Sequence, residues 1–187
     1  TSVGDEHGMG GLEIQEGYRN TLEQVDMVVA VSQGVADSIR SNTSYTGPIT
    51  TAENGVDAEF YLDISRRAAP PSADARPAAI FQGGINARLD FELLDRVIRR
   101  MPDWDFRFCG REDPDSEGWA RVRVHPNVQR FGMLDPRELG ARMSDATVGI
   151  IPFVDDEWIR KSYPLKAFEY VACGLPVVTV PIEALAR

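Results

Sequence analysis

A lysine and a glutamate, three residues apart, are the residues of this sequence best placed to do chemistry. Lys166 and Glu169 lie in residues 162–180, which read SYPLKAFEYVACGLPVVTV. A cation near the start of a helix is unfavourable by about 0.3–1 kcal/mol, because the helix N-terminus already carries partial positive charge. A bound anion reverses this, since free N–H groups and a lysine together form a phosphate site. The position of Lys166 therefore indicates an anion at this helix start.

Glu169 adds a second requirement, because it follows Lys166 by one turn on nearly the same face of the helix. An ionised carboxylate only accepts hydrogen bonds, so beside a phosphate it repels unless it binds hydroxyl groups. A ribose diol is the natural partner, and the pair predicts a clamp for a nucleotide diphosphate. The alternative is a pair of solvated charges without a ligand, because charged residues are mostly exposed.

The same stretch predicts a helix followed at once by a buried strand. Pro164 suits the first helical turn, where a missing N–H costs nothing, and Gly174 suits the position just past the helix end. Pro176 prevents continuation of the helix, and the valines of 177–180 are typical of a strand covered on both faces. These elements form half of a βαβ unit.

Upstream, the hydrophobic pattern predicts strands alternating with helices, with Ser32 and Asp90 as N-caps. An apolar run over 27–31 predicts a buried strand. Strand, Gly83-Gly84 and helix is the layout that lets backbone approach a phosphate, although two glycines more often form only a tight turn. Strands are predicted at 27–31, 49–52, 78–82, 106–109, 128–131 and 147–152, and helices at 12–25, 33–40, 91–101 and 136–143.

Composition narrows the range of functions. The 187 residues are 43% apolar and carry a formal net charge of −9, which argues against binding nucleic acid or an anionic membrane through bulk electrostatics. No apolar run approaches the roughly 20 residues needed to cross a bilayer. Cys109 and Cys173 each lie inside an apolar segment, so we expect free, buried thiols in a reducing compartment.

The ends and one internal segment indicate the domain organisation. The chain lacks an initiator methionine and stops at Arg187, after a strand that a doubly wound domain would cover with another helix. We therefore expect a fragment of a longer protein. Residues 65–77 are rich in Pro and Ala and are the best linker candidate, the alternative being a surface loop within one domain. Two domains joined there would create a cleft between them.

Three sequence blocks resemble the retaining GT-B glycosyltransferases of family 4 and their relatives, in order and spacing, over residues 26–181. The last block contains PLKxxEYxAxGxPVV in full. The blocks read ENGVDAEFY, FQGGINARLDFELLDRVIRRMPDWDFRFCG and NVQRFGMLDPRELGARMSDATVGIIPFVDDEWIRKSYPLKAFEYVACGLPVV.

The resemblance implies an α/β fold of GT-B type, with Rossmann-like domains built on doubly wound parallel sheets. Residues 1–60 would end the acceptor-side domain, 61–77 would be the linker, and 78–187 would form the nucleotide-sugar-binding domain, truncated at its C-terminal end. It implies sugar transfer from a nucleotide-diphosphate sugar to an acceptor, with retention, without metal, and with no cofactor besides the donor. The fragment by itself is expected to be inactive.

Site residues follow from the resemblance by position. In that family the helix N-terminus cradles the diphosphate, and the helix glutamate binds the ribose hydroxyls. The resemblance implies that Lys166 and the backbone around Tyr163, Pro164 and Leu165 bind the diphosphate. It implies that Glu169 binds the ribose. Lys166 is also a catalytic candidate, because fixed positive charge stabilises a departing diphosphate.

Departures from the family pattern identify further candidates. Gly83 and Gly84 are expected to approach a phosphate, but Gly84 replaces the usual arginine, and Arg88 is the residue that could supply the charge instead. Lys161 stands where the wider family has a glutamate that contacts the donor sugar, so sugar contacts do not carry over. Arg160 and Lys161 either face the diphosphate or are surface charges.

Other candidates carry less weight. His7 lies in a glycine-rich loop where many relatives carry a histidine and is the acceptor-side catalytic candidate, although a surface histidine is the alternative. Phe131 and Gly132 are candidates for contact with the base, with Phe131 alternatively in the core. The acidic run 155–157 resembles a metal cluster but lacks a supporting fourth ligand, so no metal site is assigned.

Two other functions fit the same fold, namely a sugar-nucleotide epimerase and a non-catalytic nucleotide-binding subunit. A plain flavodoxin-like module is a third alternative, with a different fold. Expected partners are a nucleotide sugar donor and a glycan, lipid-linked or small-molecule acceptor, with no nucleic acid. We expect a cytoplasmic location, with the inner face of a membrane as an alternative reached peripherally through the missing part of the N-terminal domain.

Overall fold

The computed structural model describes residues 17, 19–68 and 74–186. Of the helix predicted over 12–25, residues 17 and 19–22 are helical and 23–25 are not, while residues 12–16 and 18 lie outside the described residues. The strands are β1 (Val28–Ala30), β2 (Ile49–Thr51), β3 (Ala78–Gln82), β4 (Asp105–Cys109), β5 (Val128–Gly132), β6 (Val148–Ile151) and β7 (Val177–Thr179). The helices are α1 (Gln33–Asn42), α2 (Ala58–Arg67), α3 (Phe91–Arg100), α4 (Glu117–Val122), α5 (Pro136–Ser144), α6 (Glu157–Lys161) and α7 (Leu165–Ala172), followed by a 3₁₀ turn at Glu183–Leu185.

The chain divides into two compact units. The first comprises the described residues of Thr1–Asn54, Asp155–Tyr163 and Pro181–Arg187. The second comprises those of Gly55–Val154 and Pro164–Val180.

The second unit is built on a parallel sheet with strand order β5-β4-β3-β6-β7. β3 pairs with β4 along its whole length, and with β6 on its other side. The chain therefore winds outward in one direction from β3 to β5 and then returns to add β6 and β7 on the opposite side. This order makes the sheet doubly wound and places the topological switch point between β3 and β6. The α/β fold class inferred from the sequence is confirmed.

The core of this unit forms around the central strands. Ile80, Phe81 and Phe108 are completely buried in β3 and β4, and Trp119 of α4 is 1% exposed. The Phe108 and Trp119 rings lie 4.8 Å apart, which joins helix to sheet. Burying each such side chain contributes roughly 1.5–3 kcal/mol, so these residues account for the continuous apolar runs of the central strands.

Polar N-caps define where most helices begin, because a side-chain oxygen satisfies one of the free N–H groups of the first turn. Ser32 accepts from the Val35 N–H at 3.1 Å, and Asp90 accepts from the Leu93 N–H at 2.8 Å, which confirms both predicted caps. The same arrangement begins other helices with the caps Asp57, Ser116, Asp135 and Asp156.

In the first unit, β1 and β2 form a parallel pair against which α1 packs. The prediction of a fully buried strand over 27–31 is wrong, because Met27 and Val29 are 53% and 54% exposed. Successive side chains of a strand point to opposite faces. Ala30 is buried on one face, whereas the described residues leave the face of Met27 and Val29 open.

Three details of the second unit also differ from expectation. Helix α2 extends to Arg67, so the first residues of the predicted linker 61–77 are helical, since Asp57 caps a segment whose Tyr61 is buried. The predicted domain division itself stays a prediction. Val178 is 62% exposed, so the described residues do not cover β7 on both faces. Pro164 is the N-cap of α7 and does not lie inside its first turn.

Both cysteines are free and buried, as predicted. Burial raises the pKa of Cys109 and of Cys173 to about 11, so each thiol keeps its proton at neutral pH. Among the helices of the described residues, none has the length and apolar character required to span a membrane.

Candidate functional site

The candidate site lies in the second unit, at the carboxyl ends of β3 and β6. Ligands of doubly wound sheets bind outside the carboxyl ends of the strands, at the point where the strand order reverses. Gly83 follows β3 directly, and Phe153 comes two residues after the end of β6. The side chain of Lys166, in the first turn of α7, reaches both.

Lys166 places its ammonium group between two aromatic rings. Its Nζ lies 4.4 Å from the centre of the Phe81 ring and 4.6 Å from that of Phe153. Cation–π contact of this kind contributes roughly 0.5–2 kcal/mol and grows as the cation loses water. The two rings therefore fix the position of a charge that the helix N-terminus would otherwise disfavour.

The pKa of Lys166 is lowered to about 8, chiefly because the side chain is buried; the negative charge of Glu169 opposes this shift, and the positive charge of Arg88 adds to it. Lys166 is thus mostly protonated at neutral pH but loses its proton far more readily than an exposed lysine. A bound anion would reverse this effect by stabilising the charged form.

Gly83 permits the backbone to pass close to this ammonium group. Its φ of 125° lies in a region that residues with a Cβ rarely adopt, and a Cβ there would lie 2.9 Å from the Lys166 Nζ. Its N–H donates to the Cys109 carbonyl at 2.9 Å, which holds the turn in place. Gly84 is exposed, and a Cβ on it would lie 3.0 Å from the Asn86 amide nitrogen.

The loop that continues from Gly84 is tied to its neighbours through the backbone. The Ile85 N–H donates to the Arg111 carbonyl at 2.8 Å, and the Val154 N–H donates to the Arg88 carbonyl at 2.8 Å. The Arg88 side chain is exposed, yet its charge is close enough to lower the pKa of Lys166. Arg88 therefore adds positive charge that acts on Lys166.

Glu169 is half-buried one turn beyond Lys166, and both of its carboxylate oxygens have partners. Oε1 accepts from the Tyr61 hydroxyl at 3.1 Å, and Oε2 accepts from the Gln82 side-chain amide. The N-cap Pro164 makes no side-chain hydrogen bond to the first turn, where Leu165 is 42% exposed. The first N–H groups of α7 are thus not satisfied by their cap residue.

Tyr163 belongs to the first unit, where its hydroxyl donates to the Glu53 carboxylate at 3.2 Å. In the same unit, Lys161 forms an ion pair with Glu157 at 2.6 Å, one turn away on α6. His7 lies outside the described residues. The roles predicted for these residues, and for the glycines, Arg88 and α7, remain predictions.

The acidic run 155–157 has structural partners. Asp155 pairs with Arg160 at 2.7 Å, and Asp156 caps α6 through the Ile159 N–H at 2.7 Å. The hydrogen bond from Arg160 lowers the pKa of Asp155. In the described part of the chain, no group of three or more His, Cys, Asp or Glu side chains is arranged to hold a metal ion.

Sequence reasoning did not identify four contributors to the site. Phe81 and Gln82 were recognised only as strand residues, and Phe153 only as part of the segment after β6. Tyr61 fell at the edge of the predicted linker. A glycine at a strand end marks a close backbone approach and could have directed attention to the neighbouring Phe81 and Gln82. For Tyr61 no local signal exists, because its partner Glu169 is 108 residues away.

The family model described as glycosyl transferases group 1 matches residues 83–187, which is more than half of the chain. The chain belongs to this family. The match begins at Gly83 and includes Arg88, Lys166 and Glu169, whereas the contributing residues Tyr61, Phe81 and Gln82 precede it.

One relative agrees with this family assignment, and two solved structures agree with the fold. TuaH of Bacillus subtilis (strain 168), named as a glycosyltransferase of teichuronic acid biosynthesis, is 31% identical over 144 residues, covering 74% of this chain and 36% of TuaH. Sucrose-phosphate synthase of Thermosynechococcus elongatus matches the fold with a TM-score of 0.71 at 21% identity, over 99% of this chain and 48% of that protein. Anabaena Alr3699/HepE, in complex with UDP and glucose, has a TM-score of 0.70 at 15% identity, over 97% of this chain and 51% of that protein.

Proposed function

We propose that the full-length protein transfers a sugar from a nucleotide-diphosphate sugar to an acceptor, and that the second unit binds the donor nucleotide. The observation that carries this proposal is the Lys166 ammonium, held at the switch point of the sheet with Glu169 one turn behind it. The chain spans about a third of TuaH and about half of each solved relative described above, so the activity is proposed for the complete protein.

The proposed chemistry is stabilisation of the leaving group. Transfer from a nucleotide sugar builds positive charge on the anomeric carbon and negative charge on the departing diphosphate. Lys166, the N-terminus of α7 and the nearby charge of Arg88 would neutralise that diphosphate with groups already in place. Because the protein supplies this charge, we propose that transfer needs no metal. Resemblance to retaining enzymes supports transfer with retention of configuration.

The relatives support the donor class. Alr3699/HepE is described in complex with UDP and glucose and also in complex with UDP-glucose. The pneumococcal O-GlcNAc transferase GtfA, similar in fold at a TM-score of 0.59, is described in complex with UDP and GlcNAc. A nucleoside diphosphate is therefore the ligand proposed for the second unit, with its phosphates at Lys166 and its ribose at Glu169.

The direct test is calorimetric titration of the full-length protein with UDP, GDP and ADP, in the presence of a metal chelator. The proposal expects one of the three diphosphates to bind selectively, which would also identify the base of the donor. Absence of binding by all three, from protein shown to be folded, would contradict the proposal and favour a non-catalytic subunit of the same fold.

Replacing Glu169 tests the ribose contact. Because hydrogen bonds to a charged partner contribute roughly 1.5–3 kcal/mol, Glu169→Ala should weaken diphosphate binding about ten- to a hundredfold. Calorimetry measures the loss, and thermal unfolding checks that the variant is folded. Glu92→Ala, which removes an exposed carboxylate from the first turn of α3, should bind as the unchanged protein does. Unchanged affinity in a stable Glu169→Ala protein would rule out the ribose assignment.

The depressed pKa of Lys166 predicts how binding depends on pH. The anion binds the protonated amine, so affinity is retained below the free-site pKa of about 8 and is lost as pH rises through it. Above pH 8 the loss should approach about tenfold per pH unit, until the higher pKa of the complex is reached.

A matched variant isolates this effect in the same titrations. Lys166→Arg keeps its charge over the whole range, because the guanidinium pKa exceeds 12. Its affinity should therefore be nearly constant between pH 7.5 and pH 9.5, at whatever level its different shape allows. If the unchanged protein and Lys166→Arg lose affinity in parallel, the titrating group is not Lys166.

A further inference from the structure

The carboxylate of Glu169 is held by two neutral donors from different elements. Tyr61 of α2 donates to Oε1 at 3.1 Å, and the side chain of Gln82, the last residue of β3, donates to Oε2. Because each oxygen has a partner on a separate element, rotation of the carboxylate about its terminal bond is restricted.

Tyr61 keeps its proton and so remains a donor at physiological pH. The residue is 8% exposed, and burial, followed by the negative charge of Glu169, raises the pKa of its hydroxyl well above the ordinary value. Its ring packs edge-on against Phe60, with the ring centres 5.2 Å apart. The hydroxyl therefore reaches Glu169 from a ring that packing holds in place.

Gln82 is fixed through its backbone as well as its side chain. Its N–H donates to the Tyr170 hydroxyl at 2.9 Å, and Tyr170 is completely buried. Tyr170 follows Glu169 directly in α7. β3 and α7 are thus joined by two hydrogen bonds involving consecutive residues, which places the Gln82 amide at the carboxylate.

The identity of these donors leaves the carboxylate able to bind a ligand. A carboxylate offers about four lone-pair positions, and Tyr61 and Gln82 occupy one on each oxygen. Both donors are neutral, so the negative charge of Glu169 is not cancelled, as it would be by an arginine or lysine. An acceptor whose orientation is already fixed loses less entropy when hydroxyl groups bind to it.

We propose that Tyr61 and Gln82 are positioning residues that orient Glu169 towards a pair of vicinal hydroxyls, and that they set the preference of the site for ribonucleoside over 2′-deoxyribonucleoside diphosphates. This inference rests on the proposed function, in which Glu169 binds the ribose. A fixed carboxylate rejects an analogue that lacks one hydroxyl, because its lone pair is then left without a partner. A carboxylate that is free to rotate discriminates less between ribose and 2′-deoxyribose.

The test compares dissociation constants of the full-length protein for UDP, GDP and ADP with those for their 2′-deoxy forms. The unchanged protein should bind its preferred ribonucleotide about tenfold or more tightly than the 2′-deoxy form. Tyr61→Phe keeps the ring and removes only the hydroxyl. It should weaken ribonucleotide binding about three- to tenfold and change 2′-deoxynucleotide binding less than about twofold. The discrimination ratio, which is the dissociation constant of the 2′-deoxy form divided by that of the ribonucleotide, should therefore decrease. Gln82→Met, which keeps the length and the backbone bond, should do the same.

Ser65→Ala is the control for a purely structural role. Ser65 also joins α2 to the C-terminal end of α7, because its hydroxyl donates to the carbonyl of the C-cap residue Cys173 at 3.0 Å, but this bond does not involve Glu169. This variant should lose stability like Tyr61→Phe yet keep the discrimination ratio of the unchanged protein.

Three results would overturn the inference. They are an unchanged ratio in both Tyr61→Phe and Gln82→Met, an equally narrowed ratio in Ser65→Ala, and no discrimination by the unchanged protein. In each of these cases the protein still binds a diphosphate, so the proposed function survives. No binding of any diphosphate by the unchanged protein would instead overturn the proposed function, and this inference with it.

Discussion

Lys166→Met should lower kcat/KM for the nucleotide sugar by a factor of about 10²–10³, while it makes the free protein more stable. The loss of activity follows from removing a fixed cation that would face the departing diphosphate. The gain in stability follows from the depressed pKa of Lys166, since burial in the free protein disfavours the charged amine. Methionine has similar length and packs favourably against the rings of Phe81 and Phe153. Relief of the buried charge should contribute about 1–3 kcal/mol to the free energy of unfolding at pH 7.

Initial rates and thermal unfolding without nucleotide measure the two effects separately. The sign of the stability change also depends on pH. The unfolded chain binds a proton at Lys166 more tightly than the folded chain does, so stability of the unchanged protein rises from pH 8 towards the unfolded pKa, which is about 10.4. The advantage of Lys166→Met should shrink over the same range. A variant that loses both activity and stability would show that Lys166 has a structural role. Unchanged activity would show that Lys166 does not take part in the transfer.

The elements of the second unit were predictable because their signals are local. β3 was predicted with its observed ends, since a strand inside a covered parallel sheet is a nearly continuous apolar run, here followed by Gln82 and two glycines. Helix α3 was predicted from the Asp90 cap and its apolar face, within one residue of its observed end. Lys166 and Glu169 were selected for the same reason, because three-residue spacing on a helix fixes which side chains share a face.

What escaped prediction depends on contacts between residues distant in sequence. The exposure of Val178 depends on which faces of β7 are covered by other elements, and composition does not decide that. The partners of Glu169 come from α2 and β3, and neither Tyr61 nor Gln82 carries a sequence signal for that contact. The depressed pKa of Lys166 likewise requires its burial beside Phe81 and Phe153, which only the folded chain provides.

Gly110→Ala should destabilise the protein by about 3–5 kcal/mol, because two costs add at this position. The φ of Gly110 is 147°, a conformation that residues with a Cβ rarely adopt. A Cβ there would lie only 1.9 Å from the Gly83 carbonyl oxygen, and backbone cannot move aside as a flexible side chain can. Displacement of Gly83 would reach the candidate site, since Gly83 passes close to the Lys166 ammonium.

Gly132→Ala separates the two costs. Gly132 follows the same pattern at the end of β5, and its carbonyl accepts from the Gly110 N–H at 2.7 Å. Its φ is 64°, but no atom lies within 4 Å of a Cβ placed there. This variant carries only the conformational cost of a left-handed residue, about 1–2 kcal/mol.

Chemical denaturation measures the loss of unfolding free energy in each variant, and the difference between the two losses is the steric cost of a Cβ at position 110. Diphosphate titration of the folded variants measures the effect on binding. Gly110→Ala should lose more stability than Gly132→Ala, and it should also lose diphosphate affinity because Gly83 is displaced. Equal unfolding free energies for the two variants would show that the Gly83 backbone moves away from a Cβ at position 110 without loss of stability. The close approach of Gly83 to Lys166 would then be a consequence of the fold that the site does not require.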